Sequence, residues 1–321
     1  LTGHLDISDE AAPVLLNYWR SSHYGGAVCW IAAGEKWNKV IGPFLVYCNS
    51  APTPDVMWSN ALARAKMEMA AWPYDWVAGV DYPHKNERSR VRGQIVLDDT
   101  NFTDSTNLSS QHFTNLLVGL TAPDYTLPSP PNNRRFRFGP RTVDWQNDAK
   151  HYEFWTRADA DGHFEIPNVR AGDYTLHAIA DGVLGELVLT NVAVAAGKNL
   201  NFGKLNWQPV RYGRQLWDIG IPNRSGAEFF KGDDYFHWGW YLAYPKLFPN
   251  DVHFVIGQSD FRKDWFFEQV PRNENPDNTN GWGRGRSTTW TIQFNLTNSP
   301  HGKATLRLAI CGSSTRTITV G

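Results

Sequence analysis

The stretch Asp159-Ala-Asp-Gly-His-Phe-Glu-Ile-Pro-Asn-Val-Arg-Ala-Gly-Asp-Tyr-Thr-Leu-His-Ala-Ile-Ala180 decides how this chain reads. Phe164 and Ile166, then Tyr174, Leu176 and Ala178, fall on alternate positions, the period of a strand with one face in a core. Asp161-Gly162 and Ala171-Gly-Asp173 punctuate the two runs, and such residues accept the backbone angles of tight turns. The pattern predicts a hairpin of a small antiparallel sandwich. Asp159 and Asp161 before Gly162 have the spacing that opens a calcium loop, but the later acidic ligands are missing and turn chemistry accounts for the pair.

Outward from this unit, Arg92-Gly-Gln-Ile-Val-Leu97 opens the same block, and the polar excursion from Thr100 to Trp145 reads as loop with a strand or two inside. The block before it changes period. Trp58, Leu62, Ala65, Met69 and Trp72 recur every three or four residues until Pro73, which predicts a helix capped by Thr53 or Asp55 with its Trp/Met stripe on a sheet. Pro13-Val-Leu-Leu-Asn-Tyr-Trp19 and Pro43-Phe-Leu-Val-Tyr-Cys48 read as strands. After Leu205, strand candidates at 215–219, 252–256, 288–296 and 304–310 are joined by long aromatic loops, which suits a jelly roll whose loops form a binding face.

The whole chain of 321 residues has room for two or three domains, and 31 Lys+Arg against 32 Asp+Glu leave a net charge of -1. That balance argues against nucleic acid or an anionic membrane as the main partner. No apolar run approaches the ~20 residues that span a bilayer. Three cysteines, Cys29, Cys48 and Cys311, are too few and scattered for a disulfide scaffold or a metal knuckle, and nothing calls for a cofactor or metal. The 15 Trp, 12 Tyr and 17 Phe, many beside Asn, Asp, Arg and Gly, lean toward sugar-facing surfaces, since a pyranose offers an apolar C–H face to an aromatic ring. Asn101, Asn107, Asn223 and Asn295 stand in glycosylation sequons, which matter only in a secreted, glycosylating context. Leu1 follows no leader-like segment, and the last strand pattern stops at Gly321, so an internal fragment is expected.

Three stretches together resemble the rhamnogalacturonan lyases of polysaccharide lyase family 4. They are Gly34-Glu-Lys-Trp-Asn-Lys-Val-Ile-Gly-Pro-Phe-Leu-Val-Tyr-Cys-Asn49 with Ser22-His-Tyr-Gly25 before it and Trp72-Pro-Tyr74 after it; Arg170-Ala-Gly-Asp-Tyr-Thr-Leu176; and, in the last block, Leu216-Trp-Asp-Ile-Gly-Ile-Pro-Asn-Arg224, Ile256-Gly-Gln-Ser-Asp-Phe-Arg-Lys-Asp-Trp-Phe-Phe267 and Thr288-Thr-Trp-Thr-Ile292. The resemblance implies a mainly β chain. Residues 1–91 would be the C-terminal part of a catalytic β-sandwich with one helix. Residues 92–204 would be a fibronectin type III-like (carboxypeptidase regulatory-like) sandwich, and 205–321 a galactose-binding-like, carbohydrate-binding jelly roll. The activity it implies is β-elimination of the rhamnose–galacturonic acid backbone of pectin. The implied partner is pectic polysaccharide, handled by a secreted monomer without nucleic acid or membrane. A non-catalytic binder of acidic polysaccharide is the alternative.

Removing the C5 proton of a galacturonate requires a base, and a cation must neutralise the adjacent carboxylate. The resemblance implies a lysine, placed before Leu1, and a histidine. Where the fungal branch has a histidine before Gly-Pro, this chain has Ile41, so His23 is the candidate acid/base, or else a histidine hydrogen-bonded for structure. Arg20 and Lys39 are candidates to meet a uronate, and Tyr24 and Trp37 to wall the groove, with surface and core roles as the alternatives. In the last block Trp238, Trp240, Tyr241 and Trp282 are candidate stacking rings, with Arg262 and Lys263 candidate carboxylate partners. The opposing possibility is a buried 265–267 strand with Arg262 paired to Asp260 or Asp264.

Overall fold

The computed structural model describes residues 29–99, 112–127, 141–234, 245–267, 272–273, 285–286, 289–296, 301–310 and 320. The chain divides into two compact units, one reaching through 180 with 184–209, the other formed by 181–183 and the residues from 210 onward.

The first unit begins with an extended segment and the helix α1, Pro54–Ala71. Thr53 caps it, its hydroxyl accepting the Val56 amide at 3.4 Å, with proline in the first turn and Asp55 beside the helix's positive end. The expected burial of its Trp/Met stripe on a sheet is not seen. The helix buries none of its residues, and Trp58 and Met69 are 66% and 77% exposed. Residues 43–48 are also not a strand. Phe44, Leu45, Val46 and Tyr47 are all exposed, because an extended segment becomes a strand only when a ladder partner takes its amides. Polar contacts lay this segment along α1: the Tyr47 hydroxyl donates to Asn60 at 2.6 Å, and Asn49 donates to the Met57 carbonyl at 2.8 Å.

A short 3-10 turn at Lys85–Glu87 leads to the sandwich. Its strands are β1 (Ser89–Leu97), β2 (Leu117–Thr121), β3 (Tyr125–Leu127), β4 (Arg141–Val143), β5 (Phe154–Arg157), β6 (His163–Val169), β7 (Gly172–Ile179), β8 (Leu187–Val194) and β9 (Leu200–Trp207). One sheet has the order β6-β1-β9, the other β5-β2-β7-β8, and β3 pairs with β4 apart from both. The predicted hairpin is therefore corrected. β6 and β7 alternate as expected, with Phe164, Ile166, Tyr174, Leu176 and Ala178 all buried, but they lie in different sheets. The 170–172 corner carries the chain from one sheet to the other, so the two apolar faces meet across the core instead of lying side by side. The first and last strands, β1 and β9, pair in parallel from Val91↔Leu200 to Leu97↔Trp207. Val91, Ile95, Val118, Leu120, Ile166 and Leu176 fill the centre, and the Phe113 and Trp207 rings stack at 5.9 Å.

At the 159–162 turn Asp159 accepts the Gly162 amide through its carbonyl and the His163 amide through its carboxylate, as turn chemistry requires. Gly162 sits at φ +82°, with the Ile95 carbonyl where a Cβ would go.

The second unit holds β10 (Val252–Val255), the short helix α2 (Phe261–Asp264), β11 (Arg272–Asn273), β12 (Gly285–Arg286) and β13 (Trp290–Gln293). β10 and β13 pair in parallel and β11 pairs with β12. Two predicted strands do not form: 215–219 and 304–310 have no ladder among the described residues, and Leu216, Leu306, Leu308 and Ile310 are exposed. An apolar alternation marks a strand only where a partner edge is at hand. Among the described residues, the core here is aromatic, with Phe266 at 1% exposure against Phe230 and Phe248. No helix of the described residues is long and apolar enough to cross a membrane.

Candidate functional site

His23, Arg20 and Tyr24 lie outside the described residues, as do Trp238, Trp240, Tyr241 and Trp282. Of the first block's candidates, Trp37 and Lys39 are described, and the fold brings them together on the 148–152 segment. The Trp37 indole donates to the Lys150 carbonyl at 3.2 Å. The Lys39 ammonium donates to the carbonyls of Ala149 at 2.9 Å and His151 at 2.6 Å, 5.3 Å from the centre of the Tyr152 ring. Burial pulls the Lys39 pKa down, partly offset by Asp148 and more distant anionic groups. With two of three N–H groups on backbone carbonyls, this lysine has one donor left for anything else.

The anchor of that segment is Asp148, whose side chain is 5% exposed. Its carboxylate accepts the Tyr125 hydroxyl at 2.9 Å, the Lys150 amide at 2.8 Å and the His151 ring nitrogen at 2.9 Å. Burial by itself would raise its pKa, but the His151, Lys150 and Tyr125 hydrogen bonds outweigh it and hold the group at about 2. The same contact, after burial, pushes the Tyr125 phenol up. Lys150 in turn pairs with Glu35. Arginines lie over aromatic faces nearby, Arg170 at 4.4 Å over Tyr152 and Arg88 at 4.8 Å over Trp72. These contacts fasten the Gly34–Asn49 motif and the Trp72-Pro-Tyr74 helix end to the sandwich.

In the second unit the motif 260–267 builds a different kind of place. Asp260 caps α2, its carboxylate accepting the Arg262 amide at 3.0 Å, while Asp264 accepts the Asp260 amide at 2.8 Å. Both acids are thus spent on backbone groups. Neither is an ion-pair partner for Arg262, whose guanidinium lies 5.9 Å from the Phe261 ring centre and has no carboxylate among the described residues. Lys263 is likewise without an ion pair there. Of the anticipated 265–267 strand, only Phe266 is fully buried.

Arg262 borders an open depression of about 490 Å³ that the 227–234 loop completes with Glu228, Phe229, Lys231 and Asp234. Lys231 pairs with Asp234 at 2.6 Å. One Glu228 oxygen accepts the Ile221 amide at 2.9 Å, and the other is buried without a hydrogen-bond partner among the described residues. The motif 216–224 positions this wall. Gly220 has φ +88°, and a Cβ there would lie 2.4 Å from the Phe229 ring, so only glycine lets Phe229 and Glu228 close in. Sequence reading missed Glu228 and Phe229, because the 227–234 loop carries no periodicity that singles them out. A ring wall, an arginine without an ion pair among the described residues and the carboxylates of Glu228, Asp233 and Asp234 together suit a polar, ring-shaped ligand such as a sugar.

A β-sandwich followed by an aromatic-clustered β module with such a depression defines a modular, mainly β protein. The chain belongs to polysaccharide lyase family 4. The family profile described as "Polysaccharide lyase family 4, domain II" matches residues 124–202, and that described as "Polysaccharide lyase family 4, domain III" matches 215–321, together more than half the chain. The rhamnogalacturonate lyase of Dickeya dadantii is 28% identical, with 95% of this chain and 43% of that protein aligned. A probable rhamnogalacturonate lyase B of Aspergillus terreus is also 28% identical, covering 97% of this chain and 45% of its own length. The chain therefore spans under half the length of these relatives. Among solved structures, a type II cohesin–X–dockerin complex of Acetivibrio cellulolyticus aligns with 36% of this chain and 52% of its own at a TM-score of 0.21, too slight a likeness to bear on the fold.

Proposed function

We propose that this chain is the rear part of a rhamnogalacturonan lyase, which opens the rhamnose–galacturonate backbone of pectin by β-elimination. A base takes the C5 proton, the C4–O bond breaks, a C4–C5 double bond forms, and the leaving oxygen receives a proton. The observation that carries this reading is the match to rhamnogalacturonate lyases along 95% of the chain. Residues 1–91 read as the closing part of the catalytic sandwich, 92–204 as the fibronectin type III-like domain, and 205–321 as the carbohydrate-binding jelly roll. The uncovered apolar surface of Phe44–Tyr47 and α1 supports the first assignment, since apolar area this extensive is normally packed against more protein. His23 is assigned as acid/base, Arg20 and Lys39 as uronate partners, and Tyr24 and Trp37 as groove walls. Arg262 and Lys263, with Trp238, Trp240, Tyr241 and Trp282, would hold the polymer in the last domain. The enzyme is secreted and acts as a monomer.

The test is ultraviolet absorbance of the unsaturated uronate when rhamnogalacturonan is incubated with the longest natural protein carrying this sequence. His23→Ala is expected to lower turnover at least about tenfold, the lower end of general acid–base contributions, and unchanged turnover removes His23 from the site. A second reading for the residues in hand, a binder of acidic polysaccharide without catalysis, rests on Arg262, which borders the depression without an ion pair among the described residues. Retention on the polymer with no absorbance rise from the longer protein would select it.

A further inference from the structure

The sheet β6-β1-β9 turns one face into the core and the other to solvent, and the outer face is unusually cationic for a chain of net charge -1. β1 presents Arg90 and Arg92, β6 presents His163 and Glu165, and β9 presents Asn201 and Lys204, all exposed. The register sets Arg92 between Glu165 and Asn201, and Gln94 between His163 and Lys204. The charges already satisfied are identifiable. Glu165 is held by Arg90 at 3.2 Å, and His163 lies 3.3 Å from Asp159. Arg92 and Lys204 have neither an ion pair nor a side-chain hydrogen bond among the described residues. Gly203, with nothing within 4 Å of where a Cβ would stand, places no side chain beside them, and a shallow depression of about 360 Å³ opens there.

We infer that this outer face is a further binding surface for acidic polysaccharide, with Arg92 and Lys204 pairing with uronate carboxylates and Gln94 and Asn201 meeting neighbouring hydroxyls. The inference rests on the pectin reading above for the identity of the polymer. An arginine fork matches a carboxylate with two parallel hydrogen bonds, and a lysine adds a point charge beside it. Lys204 pairs with Gln94, two register positions along from Arg92, so the two unpaired cations are offset by roughly 7 Å along the strands, as neighbouring charges of a repeating anionic chain need. Each exposed contact is weak, but a polymer engages several at once, and the contacts reinforce one another.

The experiment is affinity electrophoresis of the 321-residue chain through polygalacturonate, rhamnogalacturonan and neutral galactan. An Arg262→Ala background keeps the other depression from masking the result. Retardation by both acidic polymers but not by galactan is expected, and added salt should abolish it. Arg92→Glu with Lys204→Glu should weaken the apparent Kd at least about tenfold, the scale of two lost charge-assisted contacts, with an unchanged melting curve. If the charge reversals disturb folding, Arg92→Gln with Lys204→Gln replaces them and should weaken binding several-fold. Either folded double variant binding like its parent overturns the proposal, as does equal retention on galactan or no retention on either acidic polymer. The lyase assay reports separately. Unsaturated product formed by a longer protein bearing the double variant, whose binding matches its parent, would leave the pectin reading standing and remove only this surface.

Discussion

The sandwich of residues 89–207 and the module from residue 210 onward use their rings in opposite ways. In the sandwich, aliphatic side chains from two facing sheets fill the centre, and the Phe113–Trp207 stack joins them as part of the packing. In the later module rings form the described cluster, Phe230, Phe248 and Phe266 together, and Phe230 of that cluster, beside Phe229, reaches the edge of an open depression. An aromatic content of 14% is therefore two populations, one holding a fold and one shaping a surface. Composition cannot separate them, because a ring buried in a core and a ring walling a depression count the same.

The contrast breaks most visibly at Leu176, which is fully buried between the sheets. Leu176→Ala is expected to cost about 2–5 kcal/mol in urea unfolding, the transfer loss plus an unfilled cavity. A loss below about 1 kcal/mol would mean that β6 and β7 do not face each other as described. A smaller effect sharpens the polar side of the same unit. Asp148 has its carboxyl held at about 2 in the folded chain, against an ordinary value of 3.8. The stability it contributes, about 2 kcal/mol, is fully present above the unfolded value and is lost as pH falls through the folded one. Asp148→Asn should flatten the pH dependence of unfolding between about pH 4 and pH 2, and parallel profiles for variant and parent would discard this role. The smallest effect on stability is expected at Arg262. Arg262→Ala should change the unfolding free energy by no more than about 0.5 kcal/mol, while retention on acidic polysaccharide weakens several-fold. A destabilisation without loss of binding would make this arginine a packing residue.

Several features were legible because their causes are local. The helix needs only its apolar spacing, Thr53 at the cap and Pro73 as the stop. The 159–162 turn needs only Asp and Gly. Alternation named the buried residues of β6 and β7 correctly, but it could not say whether those strands share a sheet, since a hairpin and a corner crossing impose the same period of two. The 43–48, 215–219 and 304–310 segments show the converse limit. Their apolar patterns are real, yet a strand is a relation between two segments, and no ladder partner meets them among the described residues. Arg262 was singled out by its motif, whereas Glu228 and Phe229 were not, because only folding brings the 227–234 loop beside α2.

By itself the sequence determined a mainly β chain, its turns and one capped helix, and motifs dense enough to mark polysaccharide lyase family 4. These follow from propensities and side-chain chemistry acting over a few residues. The tertiary structure alone decided that β1 and β9 lie parallel, and so that Arg92 and Lys204 share one face although 112 positions separate them. It also decided that the two acids of the 260–264 motif bind backbone amides and leave Arg262 without them. Such outcomes depend on which distant groups compete for the same hydrogen bonds, and that competition is resolved only when the chain has closed on itself.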